Sequence, residues 1–437
     1  MDEEVTNDSE PVRVGIVGAG NRGQNHANRY ERIPGANVAA VADVDEPKAR
    51  ELAEKHGAAS YASHDAMLES ADLDAVNVCV HATLHADITV DALDAGAAVF
   101  CEKPMADSYA AARRMADAAE RTGNALAVQN QLLYAKETRA AKALVDAGEL
   151  GEVYHGVAAR SPGFAFDASG NPDVVQLGAR RRGTPYVDGY GSPAFVREET
   201  AGGGVVLDLG SYTVGQLLYL LSPSDEGSAT TAKPPAVERV RGETFQIAPE
   251  RFSEDGDDPE VGENAGYARR IAESGYDVED VAVAFVTFAD GSVLSIRTNW
   301  SRHLAGESSA LAGTEGGVRL DPFEFFSTAG DVEMRASADL EEYLFRQQYL
   351  DGERGRRAYD EGLWADPLYH WVESLRGHRE TLPTAELGLE SMVIAEGIYR
   401  SAELGREVTR EEVVSAADDA ARNATDDATG NTDDDAE

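Results

Sequence analysis

The sequence predicts an α/β protein in which an N-terminal doubly wound parallel sheet is followed by an α+β domain with an open, mostly antiparallel sheet. Three observations carry this. Apolar runs alternate with helical patterns at βαβ spacing over the first 130 residues, a glycine-rich turn follows the first run, and two later strand-like runs flank Asp290-Gly291.

The elements follow in order. Residues 12–18, VRVGIVG, form a strand ending in glycine, followed by a helix to Arg32; the run 37–43 leads to a helix over 47–56. The alternation continues through a strand at 74–80, a helix near 86–95, a strand at 97–101 and a helix over 108–122, and the run 125–128 closes the first domain at residue 130. The pattern then changes. A helix at 135–147 ends at Gly148, and 153–160 reads as a strand. VAVAFVTFA and SVLSIRTNW around Asp290-Gly291 form a hairpin, 222–279 suggests long loops or an insertion, and 366–377 and 385–404 read as helices. The expected organisation is an acidic tail over 1–11, a dinucleotide-binding domain over 12–130, a substrate and oligomerisation domain over 131–410, and a disordered acidic tail over 411–437.

Charge excludes several partners. The chain has 437 residues with 39 Lys and Arg against 79 Asp and Glu, a net charge of −40. Such a surface repels phosphates, which argues against nucleic acid and anionic membranes. Only six of the basic residues are lysines, and the acids are spread over the body as well as the tails. This resembles adaptation to a salt-filled cytoplasm, where screening over roughly 3 Å at 1 M makes self-repulsion tolerable. Two cysteines, Cys79 and Cys101, both in apolar runs, form no disulfide framework; the acidic first residues lack a secretory pattern, and no stretch reaches the length of a membrane span. The expectation is a cytoplasmic protein.

Gly18-Ala-Gly20-Asn21-Arg22-Gly23 is G-x-G-x-x-G between a strand and a helix. Its glycines allow a tight turn, backbone approach to a pyrophosphate, and close packing of helix on strand, while the helix N-terminus offers amides to phosphate. Asp43 ends the next strand, where a carboxylate can bind ribose hydroxyls and disfavour a 2′-phosphate. NAD is therefore favoured over NADP, although Arg22 could offset the preference. At the carboxyl end of the strand 97–101 stands Glu102-Lys103-Pro104. Ligands of such sheets lie outside the strand ends, so Lys103 is aimed at a nicotinamide and its substrate.

Together these residues, with the stretch from Asp74 through Val80 to His85, resemble the glucose–fructose oxidoreductase / inositol dehydrogenase / rhizopine catabolism (Gfo/Idh/MocA) family. The resemblance runs from about residue 12 to 410 and includes Gly313-Thr-Glu-Gly-Gly317 and Ser401-Ala-Glu-Leu-Gly405-Arg406. It implies a Rossmann domain followed by an α+β domain whose open sheet carries the substrate face and often the contact of a homodimer or homotetramer. It also implies a Lys103-Pro104 bond that is often cis, and a cofactor site including Val80, His85, Glu102 and Lys103.

The second motif is Gly202-Gly-Gly204-Val-Val-Leu-Asp208-Leu-Gly210-Ser-Tyr212. Asp208 and Tyr212 are four apart near the start of an apolar helix, a spacing that places both on one face. Relatives carry Asp-x-Gly-x-His or Asp-x-Gly-x-Tyr; here Tyr212 holds the final position. A tyrosine titrates near 10 and serves as a base when a cation such as Lys103 lowers its pKa. Packing for Tyr212 and an N-cap for Asp208 are the alternative roles. Two further departures are Val80-His81-Ala82, where relatives often have Thr-Pro-Asn, and Gln129-Asn-Gln-Leu-Leu133, where they often have an arginine. The run Arg180-Arg181-Arg182 supplies either substrate contacts, Arg182 among them, or a salt-bridging loop. His26 and His64 have no partners at metal-ligand spacing, so no catalytic metal is expected.

The resulting expectation is an NAD(P)-dependent dehydrogenase of a sugar, sugar derivative or polyol, with Lys103, Tyr212 and Asp208 catalytic. The alternatives are an NAD-dependent glycoside hydrolase using transient oxidation and a non-catalytic cofactor-binding sensor.

Overall fold

The computed structural model describes residues 10–160, 193–222, 233–247, 273–300, 308–350 and 352–430. The first domain is a parallel sheet in the order β3-β2-β1-β4-β5-β6. Its strands are β1 (Val12–Val17), β2 (Ala36–Ala42), β3 (Ala59–Tyr61), β4 (Ala75–Val78), β5 (Ala98–Cys101) and β6 (Leu126–Val128). Between them run α1 (Asn21–Tyr30), α2 (Glu46–His56), α3 (His64–Ser70), α4 (His85–Asp94) and α5 (Tyr109–Thr122). Local chemistry sets several ends. Asp45 caps α2 by accepting from the Lys48 amide, Ser108 caps α5 by accepting from Ala111, and both helices stop at a left-handed glycine, Gly57 and Gly123. α1 has no side-chain cap, because its N-cap is Gly20. The short pair β3 and α3 carried no clear period in sequence.

After α6 (Lys136–Asp146) the chain builds a second sheet in the order β14-β13-β12-β11-β7-β10-β9-β8-β15. Its strands are β7 (Val153–Arg160), β8 (Val237–Phe245), β9 (Val281–Phe288), β10 (Val293–Asn299), β11 (Ala310–Gly313), β12 (Gly316–Arg319), β13 (Glu324–Ala329), β14 (Val332–Ser337) and β15 (Val408–Thr409). β7 and β10 run parallel and the other neighbours antiparallel, with β9 and β10 turning at Asp290-Gly291 as the dipeptide predicts. β8 lies inside the stretch expected to be loops. The inner face packs on α7 (Ser211–Leu221) and α11 (Thr384–Leu404), where Val240 meets Gly397 and Gly242 meets Ile398 so closely that a Cβ on either glycine would crowd its neighbour.

α8 (Leu340–Leu350), α9 (Gly352–Asp360) and α10 (Pro367–Leu375) return the chain to the first domain. Leu363, Trp364, Leu368, Trp371 and Val372 share a core with Val14, Ile16, Tyr30 and Phe100, so a late segment completes the first core. Arg29 of α1 pairs with Asp366, the N-cap of α10. Three expectations need correction. Residues 411–430 belong to a helix, α12 (Arg410–Gly430), which buries Val413 and Ala417 and joins α5 through Arg113 and Asp418, 2.6 Å apart; the disorder expected there overlooked this apolar stripe. The segment Glu198–Leu221 is long and apolar enough to cross a membrane, yet 89% of that window is buried inside the protein as core. His64 does meet acids, Asp65 and Asp91, brought together on α3 and α4, but both carboxylates are exposed.

Candidate active site

The glycine turn follows β1. Gly18 has φ +98°, and a Cβ there would lie 2.5 Å from the Cys79 carbonyl, while one on Gly23 would strike the Gly18 carbonyl at 1.8 Å. Gly20 differs, since a Cβ there would enter open space. That opening, at the start of α1 where Gly20 offers no side-chain cap, fits a pyrophosphate. The Asp43 carboxylate accepts from the Ala19 amide at 2.6 Å and from Asp45 at 2.8 Å, fixing the turn against the end of β2, and its partial exposure leaves it accessible to a ligand. Val44 next to it is 92% exposed.

Lys103 enters at the end of β5, through a cis Lys103-Pro104 bond. Its Nζ donates to Asp208 Oδ1 at 2.6 Å and to the Asp208 carbonyl at 3.2 Å, and stands 4.5 Å from the Tyr212 ring centroid. Burial disfavours the ammonium, but Asp208, Tyr212 and Glu102 together outweigh it and raise its pKa above the ordinary lysine value. Lys103 is therefore a firm cation and a hydrogen-bond donor. It lies over the face of the tyrosine ring.

Asp208 sits in a π-helical turn, Val206–Gly210, that leads into α7. The α-helical spacing expected for Asp208 and Tyr212 is thus replaced by a wider turn, and the carboxylate is no N-cap: Oδ1 meets Lys103, and the fully buried Trp300 indole donates to Oδ2 at 3.0 Å. Glu279 holds the start of this turn, accepting from the Gly204 amide at 2.8 Å, the Val206 amide at 2.9 Å and the Tyr399 hydroxyl at 3.0 Å. Gly204 has to be glycine because a Cβ would lie 2.0 Å from the Glu279 carbonyl. Asn130, just after β6, donates to the Tyr212 carbonyl at 3.0 Å, and Gln129 beside it lines a small, mainly apolar cavity next to Lys103.

The structure brings Lys103, Asp208 and Tyr212 together. It turns two other expected residues inward. His85 is buried, with its ring nitrogens 2.9 Å from the Pro104 carbonyl and 3.2 Å from the Val80 carbonyl; burial lowers its pKa, and as a neutral ring it donates to one of these two carbonyls while packing between the Lys103-Pro104 corner and the end of β4. Glu102 is buried against His26. Arg182 lies outside the described residues. Trp300, Glu279 and Tyr399 were not picked out in sequence, because each lies 70 or more residues from its partner and no local pattern joins them.

A parallel sheet with a glycine turn, an acid closing β2 and a lysine at a strand end defines a two-domain dinucleotide-binding oxidoreductase. Residues 12–130 match the model of the GFO_IDH_MocA oxidoreductase family, NAD-binding Rossmann fold, and residues 138–319 match the GFO/IDH/MocA C-terminal domain. The chain belongs to the Gfo/Idh/MocA family and is an NAD-binding oxidoreductase. It is 27% identical to D-glucoside 3-dehydrogenase of Escherichia coli (strain K12) over 92% of this chain and 98% of that protein. It is 39% identical to inositol 2-dehydrogenase 3 of Saccharopolyspora erythraea over 32% of this chain and 42% of that protein. Among solved structures, the WlbA dehydrogenase from Bordetella pertussis in complex with NADH and UDP-GlcNAcA has a TM-score of 0.63 and 21% identity, over 92% of this chain and 98% of that one.

Proposed function

We propose that the chain is a dehydrogenase of a sugar, sugar derivative or polyol, and that Lys103, Asp208 and Tyr212 carry the proton side of the reaction. The contact of Lys103 with Asp208 at 2.6 Å beside Tyr212, at the carboxyl end of the parallel sheet, is the observation that carries this reading. The nicotinamide, when bound, supplies the acceptor for the hydride leaving the hydroxyl-bearing carbon. Tyr212 takes the hydroxyl proton, the Lys103 ammonium donates to the substrate oxygen and stabilises the charge developing there, and Asp208 keeps the ammonium in place. Gly18, Gly20, Asn21, Arg22 and Gly23 hold the pyrophosphate, and Asp43 the adenosine ribose, which supports NAD over NADP. The E. coli relative supports a D-glucoside ring hydroxyl as the first substrate to try.

The test is a screen in molar salt of D-glucosides, free aldoses and inositols with each cofactor, following absorbance of the reduced nicotinamide. Reduction of NAD by one of these classes, lost by about 10²–10⁴-fold in Lys103→Met, is expected. A Lys103→Met enzyme with full activity overturns the roles assigned here. The charge of −40 supports a small-molecule substrate rather than nucleic acid or an anionic membrane, and a halophilic cytoplasm as the setting. The outer face of the second sheet exposes Phe245, Val283, Phe285 and Phe326, which supports a homo-oligomer formed through this face.

A further inference from the structure

Behind Lys103 lies a charged pair that the reaction does not use. His26 on α1 and Glu102 at the end of β5 are 1% and 5% exposed, and His26 Nε2 stands 2.9 Å from Glu102 Oε1, meeting it as an ion pair rather than an aligned hydrogen bond. The other ring nitrogen, Nδ1, faces Asn77 Oδ1 at 3.0 Å, and Asn77 donates onward to the Phe100 carbonyl at 3.2 Å and to Cys79 Sγ at 3.3 Å. The remaining Glu102 oxygen accepts from the Lys103 amide at 3.2 Å. Burial opposes charge on both partners, yet the Cys79 and Glu102 side chains raise His26 to about 10, and His26, Arg22 and Lys103 lower Glu102 to about 2. Both shifts favour the charged forms, an imidazolium facing a carboxylate.

Stability is a weak reason for such a pair, since an apolar pair of similar volume is often as stable. Its position is more telling. Lys103 touches two carboxylates, its ammonium donating to Asp208 and its backbone amide to Glu102, and the charge of both acts on the ammonium. We propose that His26 is a positioning residue: by neutralising Glu102 it leaves the Lys103 ammonium to Asp208, while Glu102 anchors the Lys103 backbone. Without the imidazolium, Glu102 is a buried, under-compensated charge, and the cations left to it are Arg22 and Lys103. Lys103 is then drawn back from Asp208 and from the substrate.

This rests on the catalytic role proposed for Lys103, so the primary readout is independent of turnover. The chain has six lysines, so selective labelling gives few side-chain NMR signals, and the one missing from Lys103→Met identifies Lys103. In His26→Gln that signal moves away from its wild-type position, and in His26→Gln/Glu102→Gln, where no carboxylate competes, it returns toward it. With a substrate in hand, kcat falls by about tenfold or more in the single variant, with KM for substrate changed by less than about threefold, and recovers at least partly in the double variant. A merely structural pair couples in folding stability but leaves the Lys103 signal and kcat of the folded variants unmoved. An unmoved Lys103 signal in His26→Gln, or a double variant no closer to wild type than the single, overturns the proposal. If His26→Gln does not fold, the double variant decides alone: a Lys103 signal near its wild-type position supports the proposal, and a displaced one overturns it. Failure to find any dehydrogenase substrate defeats the functional reading and leaves the NMR arm intact.

Discussion

A lysine ammonium buried at a strand end is held by the partners that face it, and Asp208 is the nearest. That carboxylate is itself held from two sides, with Lys103 on one oxygen and the Trp300 indole on the other. Replacing Trp300 by Phe keeps most of the ring volume but removes one donor to the carboxylate, and a lost hydrogen bond to a charged group costs about 1.5–3 kcal/mol. Trp300→Phe is therefore expected to lower kcat by about tenfold, the equivalent of about 1.4 kcal/mol, with the affinity for NAD unchanged. Steady-state kinetics beside cofactor titration checks it, and an unaltered kcat removes Trp300 from the positioning of Asp208. The residues legible in sequence were those whose chemistry depends on a short pattern. Gly18 to Gly23 and Glu102-Lys103-Pro104 stand in contiguous motifs, so their placement at strand ends could be read directly. Trp300 reads locally as the last residue of an apolar strand, and its indole acquires a role only when β10 is laid beside the turn that carries Asp208.

At the scale of elements, the parallel sheet was legible because its buried strands are short apolar runs alternating with helices, several of which, α2, α3 and α5, start at a capping side chain. The second domain was less so. β11 to β14 are short, partly exposed strands whose pairing depends on partners elsewhere in the chain, and β8 lies in a segment whose polar composition reads as loop. The turn before α7 shows the same limit. An i, i+4 spacing predicts one helical face, whereas the chain widens into a π turn because Glu279 draws the amides of Gly204 and Val206 toward the start of β9. Burial raises the Glu279 pKa, and the two amides and Tyr399 only partly offset this. Glu279→Gln leaves one of the two amides facing an NH2 group instead of an acceptor, so a loss of about 1–3 kcal/mol in denaturant unfolding is expected. Because the folded carboxyl pKa is raised, the wild-type residue contributes most below the pKa of the unfolded glutamate, and that contribution is lost as pH rises through the folded value. The variant's deficit should therefore narrow as pH rises from acidic values to neutrality, and a deficit that widens contradicts the assignment.

Over the whole molecule, the charge of −40 and the exposed apolar face of the second sheet oppose each other in any association. Bringing two such chains together buries apolar area, a favourable term that scales with area, but it also brings like-charged surfaces close, a repulsion that reaches roughly 10 Å at 0.1 M salt and only about 3 Å at 1 M. Phe285 and Val283 project from adjacent outward positions of β9, with the Arg241–Glu243 pair facing them on β8, so this part of the sheet has little net charge while the chain as a whole is strongly acidic. Attraction is thus local and repulsion global, and salt removes mainly the repulsion. Sedimentation of the chain, whose monomer mass is 46.6 kDa, is expected to shift from monomer toward a multiple of that mass as KCl rises from about 0.1 M to about 2 M. Phe285→Asp places a charge within the apolar patch and should stay monomeric at every salt concentration, with its unfolding midpoint still rising with salt because the intramolecular repulsion is nearly unchanged. An oligomer that persists in Phe285→Asp moves the interface elsewhere, and an unfolding midpoint indifferent to salt in both proteins removes the halophilic reading of the charge.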